Sequence, residues 1–91
     1  MVTKRAAIKN KNGIHVRPSQ EIAASVSDYM GFVQIETAHQ IIYDANTISI
    51  ISLGLIQGDT VYITIEGPEE EAICSRLAGL FEKEFDFPPR K

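Results

Sequence analysis

The stretch TVYITIEGPEEEA, residues 60–72, contains the clearest strand signal of the chain and the clearest helix start. Val61, Ile63 and Ile65 alternate with polar side chains, which is the period of a strand that buries one face. Pro68 and the three glutamates after it favour the first turn of a helix, because the positive end of the helix dipole stabilises carboxylates. The stretch therefore predicts a strand that leads directly into an amphipathic helix.

The rest of the chain predicts three further strands and two further helices around this pair. The strands are expected at 3–9, 32–37 and 40–44, and the helices from 16 or 18 to 29 and at 47–53. We expect Gly31 to end the first helix in a left-handed conformation, and Asn46 to cap the second. The order β-α-β-β-α-β-α predicts the α+β class, with helices on one face of a mostly antiparallel sheet and a solvated opposite face that carries Thr60, Tyr62 and Thr64.

Length and composition indicate one small domain over residues 1–91, with an irregular tail expected at 85–91. The formal net charge of −3 argues against a general nucleic-acid-binding protein. The single cysteine, Cys74, allows no internal disulfide and is expected to pack in the last helix. No apolar run resembles a signal peptide or approaches the length of a membrane span, so we expect a cytoplasmic protein without membrane insertion.

Positive charge is confined to the two ends of the sequence. No lysine or arginine occurs between Arg17 and Arg76, whereas aspartates and glutamates are spread throughout that segment. Arg17 is therefore the last cation before a long segment without basic residues, and it lies two residues from His15.

His15 occupies an unusual place within NKNGIHVRPSQEI, residues 10–22, between a turn signal and the predicted helix. The first amides of a helix have no intrahelical partner, and together with the helix dipole they attract anions. A phosphoryl group on the imidazole would therefore lie beside free amides, and the guanidinium of Arg17 would pair with its oxygens. Asn12 would hydrogen-bond the ring or the phosphate, and Pro18 suits the first helical position because it has no N–H.

Local chemistry alone leaves other roles open for His15. A lone histidine near a helix start is more often a capping or surface residue, and no serine and acid can be placed beside it for a catalytic triad. The two histidines and one cysteine lack the spacing of a zinc site, and no glycine-rich loop has the nucleotide-binding pattern. We therefore expect no metal and no cofactor, and we expect His39 to be a solvated turn residue.

The segments NGIHVRPS, residues 12–19, and NTISIISLGLIQGDTVYITIEGPEEEA, residues 46–72, resemble the histidine-containing phosphocarrier protein (HPr) family of the bacterial phosphoenolpyruvate-dependent sugar phosphotransferase system. The resemblance extends over about residues 5–84. It implies an open-faced β-sandwich, in which three helices cover one face of a four-stranded antiparallel sheet. It also implies a carrier and not a stand-alone turnover enzyme: His15 would accept a phosphoryl group on Nδ1 from phosphorylated Enzyme I and pass it to an Enzyme IIA domain for sugar uptake.

The resemblance also implies roles for the neighbours of His15. Arg17 would pair with the phosphate, and Asn12 and Pro18 would support the site. Partner docking would use the start of the first helix and the second helix, at Val16, Gln20, Thr47, Ile48 and Ile51. Such a carrier is expected to be a monomer, because one small site must face successive partners.

Two departures from the family pattern are visible in the sequence. Many relatives carry a regulatory serine that opens the second helix, where Asn46 stands here, and only a one-residue slip would make Thr47 its equivalent. Asparagine can cap a helix but cannot be phosphorylated. Relatives also commonly carry lysines on the docking helices, and this chain has none there. These departures predict that serine-type regulation is absent and that docking depends less on salt.

The sequence leaves open which pathway receives the phosphoryl group. The stretches GPEEEA, residues 67–72, and LFEKEF, residues 80–85, also resemble the nitrogen-related branch of the family, whose role is regulatory. A third alternative is a non-phosphorylated docking or regulatory module. Such a module would need neither the nucleophile His15 nor its neighbour Arg17.

Overall fold

The computed structural model describes residues 1–84, and its elements follow the predicted order. The strands are β1 (Val2–Ala7), β2 (Phe32–Glu36), β3 (Ile41–Ile42) and β4 (Thr60–Glu66), and the helices are α1 (Val16–Ser25), α2 (Thr47–Ser52) and α3 (Glu70–Glu82). The strand predicted at 60–66 is confirmed at both ends. The irregular tail that the sequence predicts at 85–91 lies outside the described residues.

The four strands form one antiparallel sheet in the order β1-β4-β2-β3. β4 lies in the interior of the sheet and pairs with β1 on one side and β2 on the other, so Ile65 stands opposite both Val2 and Val33. Val61, Ile63 and Ile65 are completely buried, as their alternation predicts. With helices packed on their side, the structure confirms the open-faced β-sandwich of the α+β class.

The opposite face of the sheet is only partly solvated. Tyr62 is exposed, as expected, but Thr64 is buried, with 8% of its surface accessible. The Thr64 hydroxyl lies 2.9 Å from the Thr3 hydroxyl, and Gln34 stands opposite it on β2. The prediction that Thr64 is solvated is therefore wrong, because its cross-strand neighbours cover it.

Helix α1 ends at Ser25, four residues before its predicted end at 29. The hydroxyls of Ser25 and Ser27 donate to the carbonyls of Ile22 and Ala24, at 2.8 and 3.2 Å. The Val26 N–H bonds three residues back instead of four. Serine side chains that bond nearby carbonyls compete with the regular helical ladder, which explains the early end.

The prediction that Gly31 ends α1 in a left-handed conformation is wrong. The helix stops before Gly31, and Gly31 is not among the residues with positive φ. A side chain is excluded at Gly31 by close packing, since a Cβ atom would lie 2.5 Å from both the Glu66 carbonyl oxygen and the Tyr29 ring. The Tyr29 hydroxyl donates to the Pro68 carbonyl at 2.7 Å and fixes that ring over the glycine.

The cap predicted for α2 is confirmed. Asn46 Oδ1 accepts a hydrogen bond from the Ser49 N–H at 2.8 Å, and Asn46 Nδ2 donates to Asp44 Oδ2 at 2.7 Å. Intrinsic propensity does not favour a short isoleucine-rich helix, so tertiary packing must stabilise it. Ile50 provides that anchor, because it is completely buried.

Helix α3 covers the outer edge of β1. Its Glu82 carboxylate accepts from the Ala7 N–H at 2.9 Å, and Glu71 pairs with Lys4 at 2.9 Å. Cys74 is completely buried and its Sγ lies 3.3 Å from the Ile63 carbonyl oxygen, which confirms the predicted packing role. Burial raises the pKa of the Cys74 thiol, so the sulfur stays protonated and unreactive in the folded protein.

Ser19 is the one polar side chain that α1 buries. Its hydroxyl has no hydrogen-bond partner within residues 1–84. A buried hydroxyl without a partner loses its hydration and gains nothing in return. We therefore predict that Ser19→Ala raises the free energy of unfolding by about 1 kcal/mol, measured as a higher urea midpoint. Ser25→Ala is the control, because it removes a hydroxyl that is bonded, and it should not stabilise comparably. A lower midpoint for Ser19→Ala would contradict the prediction.

Candidate functional site

His15 is the N-cap residue of α1. Its backbone is extended, with φ −97° and ψ −161°, and its carbonyl accepts the Ser19 N–H at 3.0 Å. Its imidazole is half-buried and makes no capping hydrogen bond to the helix. The alternative that His15 caps the helix through its side chain is therefore wrong, and the helix start is left open next to the ring.

The open helix start offers two backbone donors. The N–H groups of Val16 and Arg17 have no hydrogen-bond partner among residues 1–84, as first-turn amides without a side-chain cap do not. The sequence predicted Pro18 at the first helical position. It is the third helical residue, because α1 begins at Val16. Its missing N–H still removes no intrahelical bond, since third-position amides also lack a helical partner.

Positive charge surrounds this helix start. The Arg17 side chain is exposed and forms no ion pair with any carboxylate of residues 1–84, and the first turn of α1 contains no acidic residue. Lys11 is also exposed, in the turn before the helix. The two donors, the helix dipole and the Arg17 guanidinium together favour a bound oxyanion beside His15.

Asn12 lies exposed in the turn before α1. No hydrogen bond links its side chain to the part of the chain that the structure describes. A contact of Asn12 with the imidazole or with a phosphate therefore remains a prediction.

Asn10 is a residue of the loop that sequence analysis missed. It is completely buried, and its side-chain Nδ2 donates to the Gly13 carbonyl at 2.8 Å. The Gly13 N–H in turn donates to the Asn10 carbonyl at 3.0 Å. An asparagine three residues before a glycine is a turn signal that points to such a bond, but its burial depends on distant parts of the chain.

The loop before His15 packs against the loop that follows α2. Ile14 is buried, and its N–H donates to the Leu55 carbonyl at 3.1 Å. Gly13 has φ +73°, and a Cβ atom there would collide with the Leu55 carbonyl oxygen. Glycine is required at this position for both reasons.

Exposed apolar side chains lie around the start of α1 and on α2. The exposed fractions are 54% for Val16, 78% for Ile48, 38% for Ile51 and 64% for Ile56. The first three were predicted from the sequence as docking residues. Ile56 was not predicted, and the structure identifies it because its Cα lies against Gly13. We call these four residues the apolar rim.

The other two predicted docking residues lie along a groove. Gln20 and Thr47 line a depression of about 640 Å³ between α1, the start of β2 and the segment that enters α2. Asp44 and Asn46 line it from the same side as Thr47. Because α1 packs directly on α2, the groove and the apolar rim belong to neighbouring parts of one surface.

His39 lies apart from these features, in the connection between β2 and β3. It is exposed, and its N–H bonds the Thr37 hydroxyl at 3.2 Å, which confirms a solvated turn residue. Among residues 1–84, no three histidine, cysteine or acidic side chains are grouped to hold a metal ion. Within the same range, no helix is both long enough and apolar enough to cross a membrane.

Comparison with known proteins agrees with this arrangement. The family model for the PTS HPr component phosphorylation site matches residues 2–83. A phosphocarrier protein HPr of Borreliella burgdorferi is 34% identical over 90% of this chain and 95% of its own length. A phosphocarrier protein NPr of Proteus mirabilis is 29% identical over 91% and 93% of the two chains. The crystal structure of an HPr from Thermoanaerobacter tengcongensis superposes with a TM-score of 0.79, at 28% identity, over 93% of this chain and 100% of that one. The chain therefore belongs to the HPr family, the phosphocarrier proteins of the phosphotransferase system.

Proposed function

We propose that His15 of this phosphocarrier accepts a phosphoryl group on Nδ1 from phosphorylated Enzyme I and passes it to an Enzyme IIA domain for sugar uptake. The Nδ1 lone pair forms the bond to phosphorus while the donor's own bond to phosphorus breaks, and the pair returns to nitrogen in the onward transfer. The observation that carries this proposal is the open helix start, because His15 is the N-cap residue of α1 and its side chain does not cap the helix.

The neighbours of His15 have separate roles in this proposal. The N–H groups of Val16 and Arg17 bind the phosphoryl oxygens, and the Arg17 guanidinium pairs with them by charge-assisted hydrogen bonds. Pro18, in the first turn of α1, adds no N–H donor that needs a partner. Asn12, exposed in the turn before α1, is the proposed hydrogen-bond partner of the ring or of the attached phosphate.

Docking on Enzyme I and Enzyme IIA-type proteins is assigned to the surface around α1 and α2. Exposed apolar side chains bury area against a partner, so Val16, Ile48 and Ile51 supply contact area, while Gln20 and Thr47 supply polar contacts. A monomer suits this use, because the same surface must face one partner after another. The net charge of −3 disfavours nucleic acid as a partner, and the site of action is the cytoplasm, where phosphoenolpyruvate is available.

A regulatory branch of the family is the second candidate function. The Proteus mirabilis NPr, which is 29% identical over 91% of this chain, favours it, as do the stretches GPEEEA and LFEKEF. Transfer rates from the phosphorylated chain to a sugar-type and to a nitrogen-type Enzyme IIA domain separate the two branches. The faster acceptor identifies the branch, because both branches share the chemistry at His15.

The first prediction concerns the phosphorylated residue. After incubation with Enzyme I and phosphoenolpyruvate, mass spectrometry should find one acid-labile phosphate on the protein and none on His15→Ala. His39→Ala is the matched control and should accept phosphate normally, because His39 is a solvated turn residue.

Arg17→Ala should slow transfer by roughly ten- to a hundred-fold, because charged hydrogen bonds to the phosphoryl oxygens are lost. An unmodified protein beside an active Enzyme I control contradicts the proposal and favours a docking module without phosphotransfer.

A second prediction concerns salt. The docking surface carries no lysine on α1 or α2, and Arg17 is the one cation on these two helices. Electrostatic attraction should therefore contribute less to its encounter with an acidic partner than it does in relatives with lysines there. The kcat/KM of phosphotransfer should therefore change little between low and high salt. Gln20→Lys adds a cation at the edge of the groove and should make that dependence steeper. A steep fall with salt for the unaltered protein would show that other charges steer docking.

A third prediction concerns regulation. Asn46 stands where many relatives carry a regulatory serine, and it serves here as the α2 cap through its Oδ1. We expect no phosphate on α2 after incubation with the regulatory kinase and ATP. Asn46→Ser introduces a hydroxyl and keeps a capping oxygen, so it should create a phosphoryl acceptor. Label on Thr47 of the unaltered chain would refute the expectation.

A further inference from the structure

We propose that Asn10 is a positioning residue for phosphoryl transfer, because its side chain locks the Gly13–Ile14 peptide that directly precedes His15. The proposal rests on the proposed role of His15 as the acceptor. In this proposal Asn10 acts through the backbone of the loop and not by contact with the phosphoryl group.

The Gly13–Ile14 peptide is held at both of its polar atoms. Its carbonyl oxygen accepts from Asn10 Nδ2 at 2.8 Å, and its N–H donates to the Leu55 carbonyl at 3.1 Å. The Gly13 N–H also donates to the Asn10 carbonyl at 3.0 Å and closes the turn. A peptide plane bonded at both sides cannot rotate without breaking two hydrogen bonds.

Gly13 is the point at which the loop needs such a lock. Only glycine fits against the Leu55 carbonyl at φ +73°, but glycine also gives the backbone more conformational freedom than any other residue. Without the Asn10 amide, only the bond from the Ile14 N–H to the Leu55 carbonyl would oppose a flip of this peptide, and the buried Gly13 carbonyl would lose its donor. Asn10 is completely buried, so water does not compete for the bond.

The backbone of His15 is held on both sides. On one side it follows the locked peptide and the buried Ile14, and on the other its carbonyl bonds the Ser19 N–H of α1. The backbone of His15 is therefore fixed relative to the Val16 and Arg17 amides before a partner docks. Small errors in the orientation of a reacting group lower the rate of the chemical step and leave binding intact.

The test compares two variants of the full chain. Asn10→Asp has the same shape, but its carboxylate cannot donate to the Gly13 carbonyl, and Asn10→Ala removes the donor without burying a charge. Each is assayed for phosphorylation by Enzyme I and phosphoenolpyruvate, below its own unfolding transition, and for hydrogen exchange of the Ile14 amide. We expect kcat to fall by about ten-fold or more with KM unchanged, and the Ile14 amide to exchange faster.

Ile65→Val provides the matched control, because it loosens the core in β4 without touching the loop. It should lower stability while kcat and the exchange of Ile14 relative to the core amides stay the same. A kcat for both Asn10 variants equal to that of Ile65→Val overturns the proposal. A rise in KM alone also overturns it, because Asn10 would then act in docking.

Failure of the proposed function is recognised separately. If the unaltered chain accepts no phosphate beside an active Enzyme I control, the proposed acceptor role of His15 is wrong. Hydrogen exchange of the Ile14 amide then tests by itself whether Asn10 holds the Gly13–Ile14 peptide in place. Unchanged Ile14 exchange in both Asn10 variants then overturns the lock, and faster exchange supports it.

Discussion

The functional surface depends on the contact between the loop before α1 and the loop after α2. In this contact the Ile14 N–H donates to the Leu55 carbonyl beside His15, and Ile8 exchanges backbone hydrogen bonds with Gly58 and Asp59. The glycine at position 13 exists to allow that approach, since any side chain would collide with the Leu55 carbonyl. Because the two loops are joined, the open end of α1 and the exposed face of α2 lie on one surface. The proposed phosphoryl acceptor and the proposed docking residues of α2 are thereby connected through the backbone, although they are far apart along the chain.

The two helices of this surface treat their first turns in opposite ways. Helix α2 satisfies its start internally, because Asn46 accepts the Ser49 N–H and is itself held by Asp44. Helix α1 has His15 as its N-cap residue but no side-chain cap, so the Val16 and Arg17 amides can bind an acceptor from outside the chain. A side-chain cap typically stabilises a helix by about 1 kcal/mol, so the open start of α1 lacks a stabilising contact that α2 has. The proposed phosphoryl site gives a reason for this difference, because a side-chain cap would occupy the amides that the phosphoryl oxygens are expected to bind.

Most features with a local cause could be predicted from the sequence, and the early end of α1 at Ser25 is an exception. Alternation at Val61, Ile63 and Ile65 fixed β4, and a short polar side chain at Asn46 identified a cap. Prediction failed where distant residues decide: Gly31 is shaped by the packing of Tyr29, and Thr64 is covered by neighbouring strands. In the site, the His15 motif was visible in the sequence. The burial of Asn10 and the place of Ile56 follow from contacts between loops that no local pattern contains.

The edges of the sheet bear on how such a protein persists at high concentration. One edge strand, β1, has the N–H of Ala7 occupied by the Glu82 carboxylate and the flank of α3 laid alongside it. The other, β3, is only two residues long. Among residues 1–84, β3 is therefore too short to offer a long row of backbone groups to a second copy, and on β1 the Ala7 N–H already has a partner. A protein that leaves the apolar rim exposed benefits from such edges, because collisions between copies then find less backbone on which to extend the sheet.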